Sequence, residues 1–258
     1  EGQQLGEIWG YVVDGYFKTD EEARNYKVDQ SFVNQMINAS ALDNGLHAGD
    51  LKFVDLDGNN KIEQTTSAND RKDMKVIGNS LPRYNYNFGI SADWYGIDFS
   101  VLFQGIGKQN WYPGAETSMF WGPYSRPYAS FIPSDFMSQV WSEENTNAYF
   151  PRPRGYVALG SNRELAVVNT KYLQNLAYCR LKNLSIGYTL PDKWLSKIGF
   201  EKIRVYFSGE NLLTFTKLHS DYIDPEQASA SNSWKTSKSD ANIYPWAKTY
   251  SFGVDITF

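Results

Sequence analysis

The feature that most constrains this chain is a strict two-residue alternation of side chains between Tyr84 and Trp94. Apolar residues hold every second position, and the positions between them carry small or polar side chains. Successive side chains of a β-strand point to opposite faces, so the pattern predicts a strand with one apolar and one polar face. The alternation resumes at Ile97 after Tyr95 and Gly96, which predicts a hairpin with a two-residue turn.

The same alternation recurs along the chain and predicts an all-β fold. The predicted strands cover about residues 8–17, 84–95, 97–107, 180–190, 201–213 and 248–258. Runs of roughly 10–12 residues exceed the common strand length of soluble sandwiches and match the length that a tilted strand needs to cross a bilayer. Two short segments, within 20–42 and 134–141, are predicted to be helical.

The connections between the predicted strands alternate in length. Strands two and three, and strands four and five, are joined by short connections, whereas the segments 18–83, 108–176 and 214–247 are long. Strands that run up and down through one layer place every second connection on the same side. The pattern is typical of a transmembrane β-barrel with short periplasmic turns and long extracellular loops. We therefore predict about six antiparallel up-and-down transmembrane β-barrel strands.

Composition narrows the class of function. Aromatic residues make up 16% of the 258 residues, yet the mean hydropathy is −0.51, a combination that a barrel allows because lipid-facing and lumen-facing residues alternate. No apolar run is long enough for a transmembrane helix. The net charge of −4, without a basic block, argues against nucleic acid as a partner. The single cysteine excludes a disulfide framework and a cysteine-based zinc site.

Motifs of enzymes are absent from the sequence. There is no G-x-S-x-G, no H-E-x-x-H and no phosphate-binding glycine loop. We therefore expect no enzymatic activity and assign no catalytic residue.

Seven blocks of sequence, in order, resemble one protein family. They are GDLKFVDLDGNNKIE at 49–63, VIGNSLPRYNYNFGISADWYGIDFSVLFQGIG at 76–107, WSEENTNAYFPR at 141–152, YCRLKNLSIGYTLP at 178–191, IRVYFSGENLLTFTK at 203–217, DPE at 224–226 and YPWAKTYSFGVDITF at 244–258. Together they resemble the last part of a SusC/RagA-type TonB-linked outer-membrane transporter. The final SFGVDITF is similar to the terminal signal by which outer-membrane barrels are recognised for assembly.

The resemblance implies that residues 1–258 are the C-terminal part of the β-barrel domain of a TonB-dependent receptor. Such receptors carry an N-terminal plug inside a 22-stranded barrel, and the plug is absent from this chain. They import glycans or peptides with a SusD-like surface lipoprotein as partner, and TonB supplies the energy through the N-terminal part. The resemblance also implies location in the bacterial outer membrane, with outer-membrane lipid and the remaining strands of the same barrel as neighbours.

The start of the chain and its strand number lead to a further expectation. The sequence starts at Glu1 without the Met, the basic region or the apolar region of a signal peptide, and we expect a processed chain or a piece of a longer one. Six strands cannot close a barrel, so we expect an open sheet with two unpaired edges within this chain.

Acidic and amide side chains alternate in a short loop and predict a cation site. The residues at positions 1, 3, 5, 7 and 9 of an EF-hand-type loop are Asp55, Asp57, Asn59, Lys61 and Glu63. Alternate residues of such a loop point oxygens at a Ca²⁺ ion, and Mg²⁺ takes similar ligands. Asn60 replaces the usual Gly at position 6, and Thr66 replaces the bidentate Glu at position 12. The alternative is a polar turn whose side chains bond to nearby backbone amides. No other cofactor is expected.

Aromatic residues concentrate in the second long connection. The candidate ligand contacts are Trp111, Tyr112, Trp121, Tyr124 and Tyr128. Such rings stack on sugars or anchor protein partners; the alternative is that the loop packs on itself or on a partner lipoprotein with these rings as core. Rings at strand ends are expected to form girdles at the two membrane interfaces. They are Trp9, Tyr84, Trp94, Tyr95, Trp194 and Tyr250.

A different class of protein also fits the alternation. A secreted or surface carbohydrate-binding β-sandwich with a calcium-binding loop would share the two-residue period and the surface aromatics. The two classes differ in the apolar strand face, which a sandwich buries in its core and a barrel exposes to lipid.

Overall fold

The computed structural model describes residues 2–35, 44–64, 67, 69–125, 132–195, 199–231, 238–239 and 244–258. Its strands are β1 (Glu7–Tyr11), β2 (Val13–Tyr16), β3 (Leu51–Phe53), β4 (Met74–Asn79), β5 (Asn85–Trp94), β6 (Ile97–Ile106), β7 (Asn110–Pro113), β8 (Gln174–Asn175), β9 (Tyr178–Thr189), β10 (Lys202–Thr216), β11 (Lys238–Ser239) and β12 (Thr249–Thr257). Its α-helices are α1 (Asp20–Arg24), α2 (Ser118–Trp121), α3 (Asp192–Leu195) and α4 (Pro225–Ser231). Short 3-10 helices occupy Gly122–Tyr124, Phe136–Gln139 and Tyr156–Leu159.

The five long strands form one antiparallel sheet in the order β5-β6-β9-β10-β12. Neighbours in the sheet follow one another along the chain, so the sheet is an up-and-down meander. Among the described residues, β5 and β12 pair with no further strand and form two open edges. The predictions of an all-β chain and of up-and-down antiparallel strands are confirmed for these five.

The first predicted strand, 8–17, lies outside this sheet. The backbone is divided at Val12 into β1, which pairs with β4, and β2, which pairs with β3. Tyr11 and Tyr16 are both buried, and Tyr11 N donates to Val168 O at 2.9 Å. A two-residue period reports a pleated backbone and does not identify the neighbouring strand. The described part of the chain therefore places five strands in the main sheet, and the predicted number of six is wrong for this sheet.

The two segments predicted to be helical each contain a short helix among the described residues. Helix α1 is all the helix that the described part of 20–42 contains, and Thr19 caps it by accepting a hydrogen bond from Glu22 N at 3.1 Å. Residues 36–43 lie outside the described residues. Within 134–141 the helical part is the 3-10 helix Phe136–Gln139. None of the helices described is long and apolar enough to cross a membrane.

Connections of different length lie at opposite ends of the sheet. The turn end carries the β5–β6 turn and the β9–β10 connection, whereas the loop end carries the segment before β5 and the connections 107–177 and 217–248. In the β5–β6 turn, Tyr95 and Gly96 have φ of 48° and 85°, the left-handed backbone that a tight hairpin requires. The prediction that the long connections emerge on one side is confirmed for these connections.

The long connections pack together at the loop end into what we call the loop body. It is the buried cluster drawn from residues between 11 and 62, between 111 and 176, and between 218 and 228. The largest fully buried side chains of the described residues, such as Trp111, Trp121 and Tyr172, belong to it. The chain thus has a packed core in its loops and an exposed long sheet beside it.

Candidate functional site: the faces of the sheet and the loop body

One face of the five-stranded sheet is apolar from edge to edge. A row of directly paired residues crosses all five strands as Ala92, Phe99, Ile186, Phe207 and Phe252. Phe252 is 83% exposed and Ile90 is 63% exposed, so this apolar face is not covered by other described residues. In water such a large apolar surface is unfavourable, whereas lipid covers it without cost.

The opposite face of the same sheet is polar. The next paired row crosses the five strands as Ser91, Ser100, Ser185, Ser208 and Ser251. Asp93 and Asp98 form the adjacent pair on this face. The sheet therefore has one apolar and one polar face.

A cross-strand brace ties the polar face together near the turn end. Arg204 on β10 donates from Nε and Nη2 to both oxygens of Asp98 on β6, at 2.8 and 2.6 Å, and from Nη1 to Asp255 on β12 at 3.1 Å. The guanidinium reaches Asp98 across β9 at Gly187, where an added Cβ would collide with both side chains. Sequence reasoning missed this brace, and the glycine inside a predicted strand was its one signal.

A second ionic cluster holds the 217–248 connection against the polar face near the loop end. Arg180 on β9 is buried and donates to Asp224 and Glu226 at 2.7 Å each and to Thr214 Oγ1 at 2.9 Å. Lys182 donates to both oxygens of Glu226 at 3.0 and 3.1 Å. Asp224 also accepts from the backbone of Glu226, at the start of α4. The DPE block of the sequence is thus the anchor of this connection.

Rings at strand ends are exposed where girdles are predicted. Trp94, Tyr95 and Trp194 are exposed at the turn end, and Tyr84 and Tyr250 are exposed further towards the loop end. These placements fit the expected girdles, and contact with lipid stays a prediction.

Trp9 does not belong with the other predicted girdle rings. It lies on β1, outside the main sheet, and its ring packs against the Arg71 guanidinium at 4.4 Å. Trp9 is paired with Val76 in the β1–β4 sheet, so it does not lie at the edge of the five-stranded sheet.

The rings predicted to contact ligand are core residues of the loop body. Trp111, Tyr112 and Trp121 have no exposed surface, and Tyr124 is 2% exposed. Tyr112 Oη donates to Leu165 O at 2.8 Å, Trp121 Nε1 to Gly114 O at 2.9 Å and Tyr124 Oη to Pro151 O at 2.6 Å. A sugar cannot stack on a ring that has no exposed face, so these four rings act as core, as the self-packing alternative predicts. Tyr128 lies outside the described residues.

The predicted cation loop at 55–63 is organised by side chain to backbone hydrogen bonds. Asp55 accepts from Gly58 N and Asn60 N at 2.7 Å each, and Asp57 accepts from Asn59 N at 3.1 Å. Asn60 has a left-handed φ of 62°, as the Gly of an EF-hand loop would. These contacts are those of the polar-turn alternative. Thr66 lies outside the described residues.

Asp73 is the residue of this loop that sequence reasoning missed. Its carboxylate is buried, accepts from Leu56 N at 2.8 Å and Glu63 N at 2.7 Å, and lies within 4.8 Å of those of Asp55 and Asp57. Burial, and to a smaller extent the charges of Asp57 and Asp55, raise the pKa of Asp73. Lys61 points elsewhere and pairs with Glu63 at 3.2 Å. The carboxylates that converge are therefore those of residues 55, 57 and 73.

The loop body also contains a cluster of charged side chains, which the sequence analysis did not predict. Asp50 pairs with Arg152 and Arg154, and Arg154 Nε lies 3.1 Å from Glu164 Oε1. Burial raises the pKa of Glu164 to about 7, against the opposing effect of the Arg154 charge. The cluster joins the start of β3 to the 152–164 segment. Each of its four charged side chains is paired with an opposite charge within the cluster.

The chain is similar in sequence to curated proteins over its whole length. No family model matches the chain. It is 29% identical to TonB-dependent receptor P3 of Formosa agariphila over its whole length, covering 22% of that protein. It is 26% identical to TonB-dependent receptor P39 of the same organism, again over its whole length and covering 25% of that protein. The chain thus spans about a quarter or less of the curated relatives that it matches.

Solved structures show the same fold. The RagAB peptide importer in its open-open state matches 98% of this chain and 22% of its own chain, with a TM-score of 0.56 and 19% identity. The RagAB peptide transporter gives a TM-score of 0.57 at 18% identity over 98% of this chain. The chain therefore shares the fold of the corresponding part of these structures. The chain is related to the TonB-dependent receptors, which confirms the predicted resemblance, and these relatives are named as receptors and not as enzymes.

The loop-body core yields a first prediction. Trp121→Ala removes a fully buried ring and should lower the free energy of unfolding by about 3–5 kcal/mol. Trp94→Ala, which removes an exposed ring of the same size, is the control and should cost less than about 1 kcal/mol. Denaturation of the detergent-solubilised protein, followed by near-ultraviolet circular dichroism, measures both. Equal losses would contradict the assignment of Trp121 to the core.

The Arg180 cluster yields a second prediction. Arg180→Met leaves Asp224 and Glu226 without their buried cation, an arrangement that costs roughly 3–5 kcal/mol in buried pairs. The 217–248 connection should then detach from the polar face and become more sensitive to limited proteolysis. Arg204→Met is the control because it breaks a pair near the turn end. A cleavage pattern in 217–248 that is the same for both variants would contradict the anchoring role.

Proposed function

We propose that residues 1–258 form part of the barrel wall and of the extracellular loops of a TonB-dependent outer-membrane transporter. The observation that carries the proposal is the exposed apolar row on a sheet whose other face is polar. The relation to TonB-dependent receptors over the whole chain supports it. Under this proposal the chain belongs to the C-terminal part of the barrel domain, and the remaining strands of the barrel pair with the edges at β5 and β12.

The two faces then have different neighbours. The apolar face contacts outer-membrane lipid, and the polar face lines the interior, where it meets the plug. The turn end lies on the periplasmic side and the loop body lies outside the cell, since barrels of this type have short periplasmic turns and long extracellular loops. The loop body contributes to the vestibule through which the solute enters.

The imported solute is proposed to be a glycan or a peptide. The solved structures of the same fold are named as a peptide importer and a peptide transporter, which supports the peptide class. A SusD-like surface lipoprotein would bind at the loop body, and TonB would act through the N-terminal part of the receptor. The wall described here would contribute shape and stability, while energy would enter elsewhere.

The carbohydrate-binding sandwich is less well supported. A sandwich needs a second sheet packed on its apolar face, and no described element covers Phe88, Ile90 or Phe252. The four described rings that would have met a sugar are buried. Exposure of the apolar face therefore favours the transporter.

A third prediction tests the wall. Ile90→Arg places a charge on the apolar face, where a cation near the bilayer midplane costs about 2–4 kcal/mol, and should reduce the folded receptor in the outer membrane. Ser91→Arg, at the adjacent position on the polar face, should have little effect. Outer-membrane fractionation and heat-modifiable gel mobility report the folded amount. Equal effects of the two variants, or recovery of the protein without detergent, would contradict the proposal.

We also infer that the 55–73 loop binds a hard divalent cation, Ca²⁺ or Mg²⁺. The three converging carboxylates support it, because the like charges that raise the pKa of Asp73 would be neutralised by such an ion. The ion would stiffen the loop and take no part in transport.

A fourth prediction tests the cation. Ca²⁺ added to EDTA-treated protein at about 100 times its dissociation constant should stabilise the fold by roughly 2.7 kcal/mol, visible as a higher melting temperature. Asp57→Ala, which removes a converging carboxylate, should abolish the increase, whereas Glu143→Gln, at an exposed position far along the chain, should retain it. A melting temperature that responds to neither Ca²⁺ nor Mg²⁺ would leave the loop as a polar turn.

A further inference from the structure

A cavity of about 520 Å³ lies at the loop end of the polar face, between the open end of the β5–β6 hairpin and the β1–β4 pair. We propose that this cavity binds the carboxylate of a peptide through Arg83 and Lys108. The inference rests on the proposed function, which places the polar face in the interior of a transporter. It narrows the imported solute from a glycan or a peptide to a peptide.

The two cations lie side by side on the polar face. Arg83 N donates to Lys108 O at 2.9 Å, just beyond the last residue pair of the hairpin, Asn85 and Ile106. Each cation is two residues away from a member of that pair and therefore shares its face of the sheet. This is the face of the serine row, and both side chains line the cavity there.

Neither cation is neutralised within the described part of the chain, where neither forms an ion pair with an acidic side chain. The Arg83 guanidinium instead lies 5.5 Å from the centre of the Tyr84 ring. By contrast, Arg180 and Arg204, on the same face, are each paired with two carboxylates. Like charges on neighbouring strands repel each other, so Arg83 and Lys108 are stabilised when an anion binds between them.

Glu7 is the carboxylate that lines the same cavity. Its oxygens accept hydrogen bonds from its own segment, Oε1 from Gln4 N at 2.9 Å and Oε2 from Trp9 Nε1 at 3.2 Å. It forms no ion pair with Arg83 or Lys108, so it leaves both cations to an external anion. The charge of Glu7 also disfavours a ligand with several negative groups, and a ligand with one carboxylate fits the cavity best.

The walls of the cavity favour a peptide over an acidic sugar. Apolar side chains, those of Leu5, Ile77, Leu81 and Pro82, stand beside the charged groups. Ligand pockets of about 300–1,000 Å³ commonly combine such walls with a few polar groups. Apolar walls suit the side chains of a peptide, whereas they leave the hydroxyls of a sugar without hydrogen-bond partners. None of the described residues that line the cavity is aromatic, so a sugar ring has no ring to stack on.

The chemistry of the two cations suits a carboxylate. A guanidinium can donate to both oxygens of a carboxylate, and an ammonium beside it adds a further charge-assisted hydrogen bond. A hydrogen bond to a charged group changes affinity by about tenfold or more. Under the proposed function the loop end faces the outside of the cell, so an entering peptide would meet Arg83 and Lys108 before it passes the sheet.

The test uses the full receptor in detergent micelles and an equimolar mixture of three pools of short, N-acetylated peptides of randomised sequence. The first pool is neutral except for a free C-terminal carboxylate, the second is neutral and amidated, and the third is amidated with one Asp or Glu. Unbound peptide is removed by size exclusion, and mass spectrometry measures the amount retained from each pool. The unmodified receptor should retain the first or the third pool in preference to the second. The preferred pool shows whether the carboxylate is that of the C-terminus or of a side chain.

Substitutions in the cavity should change this preference in opposite directions. Arg83→Gln and Lys108→Gln should each lower the preference for the carboxylate by roughly tenfold and leave retention of the neutral amidated pool unchanged. Glu7→Gln should raise the preference, because it removes the repelling charge. Lys217→Gln is the matched control: it removes a cation at the loop end of the opposite, apolar face and should behave as the unmodified receptor.

Equal retention of the carboxylate and amidated pools by the unmodified receptor would overturn the inference. An equal loss in the Lys217→Gln control, or an unchanged preference when Arg83 and Lys108 are both replaced by Gln, would also overturn it. A receptor that retains no peptide from any pool overturns the inference but not the wall, which the comparison of Ile90→Arg with Ser91→Arg tests. A receptor that stays in solution without detergent would instead refute the proposed function.

Discussion

The difference in character between the apolar and the polar face of one layer of five strands is the constraint on which the rest of the structure depends. Antiparallel pairing places residues of like character opposite each other, so Phe207 meets Ile186 and Phe252 while Ser208 meets Ser185 and Ser251. A register shift of one residue on any strand would exchange its two faces. The polar face therefore needs interactions that hold the register, and the Arg204 brace, which reaches from β6 to β12, holds three strands at once.

The same constraint explains why the aromatic residues fall into two sets. On the sheet, rings such as Phe252 are exposed because their environment is proposed to be lipid. In the loop body, rings such as Trp121 are buried because a connection of this length can be ordered only by a core of its own. The mean hydropathy of the chain averages over both sets. A polar average with many rings is thus the result of two differently solvated structures in one chain.

The strands could be predicted from the sequence because a period of two is a local property of the backbone. Strands β5, β6, β9, β10 and β12 all lie where the alternation predicts them. The two-residue period does not indicate which strand lies beside which. Residues 8–17 alternate like the other strands and yet pair with β3 and β4. The burial of Trp111 and Tyr112, which were predicted to contact a ligand, could not be predicted for a related reason. Ring composition shows that a segment has large apolar groups, but burial depends on contacts with residues distant in sequence.

Charged groups of the site were the least predictable part. Arg180 meets partners 44 and 46 residues away, and Asp73 joins Asp55 and Asp57 only after the chain has returned from the intervening loop. No local pattern encodes such pairs. Local spacing did identify the 55–63 loop, whose backbone bonds are formed within a few residues.

Stability is distributed unequally between the two parts of the chain. The loop body buries its largest rings and its charge cluster among its own residues. The sheet has the opposite property, because the backbone groups at the outer edges of β5 and β12 find no partner in the described residues. In lipid each unpaired backbone group costs several kcal/mol, so an open sheet cannot remain in a bilayer alone. The Arg180 cluster therefore joins a loop body that has its own core to a sheet whose two edges require further strands.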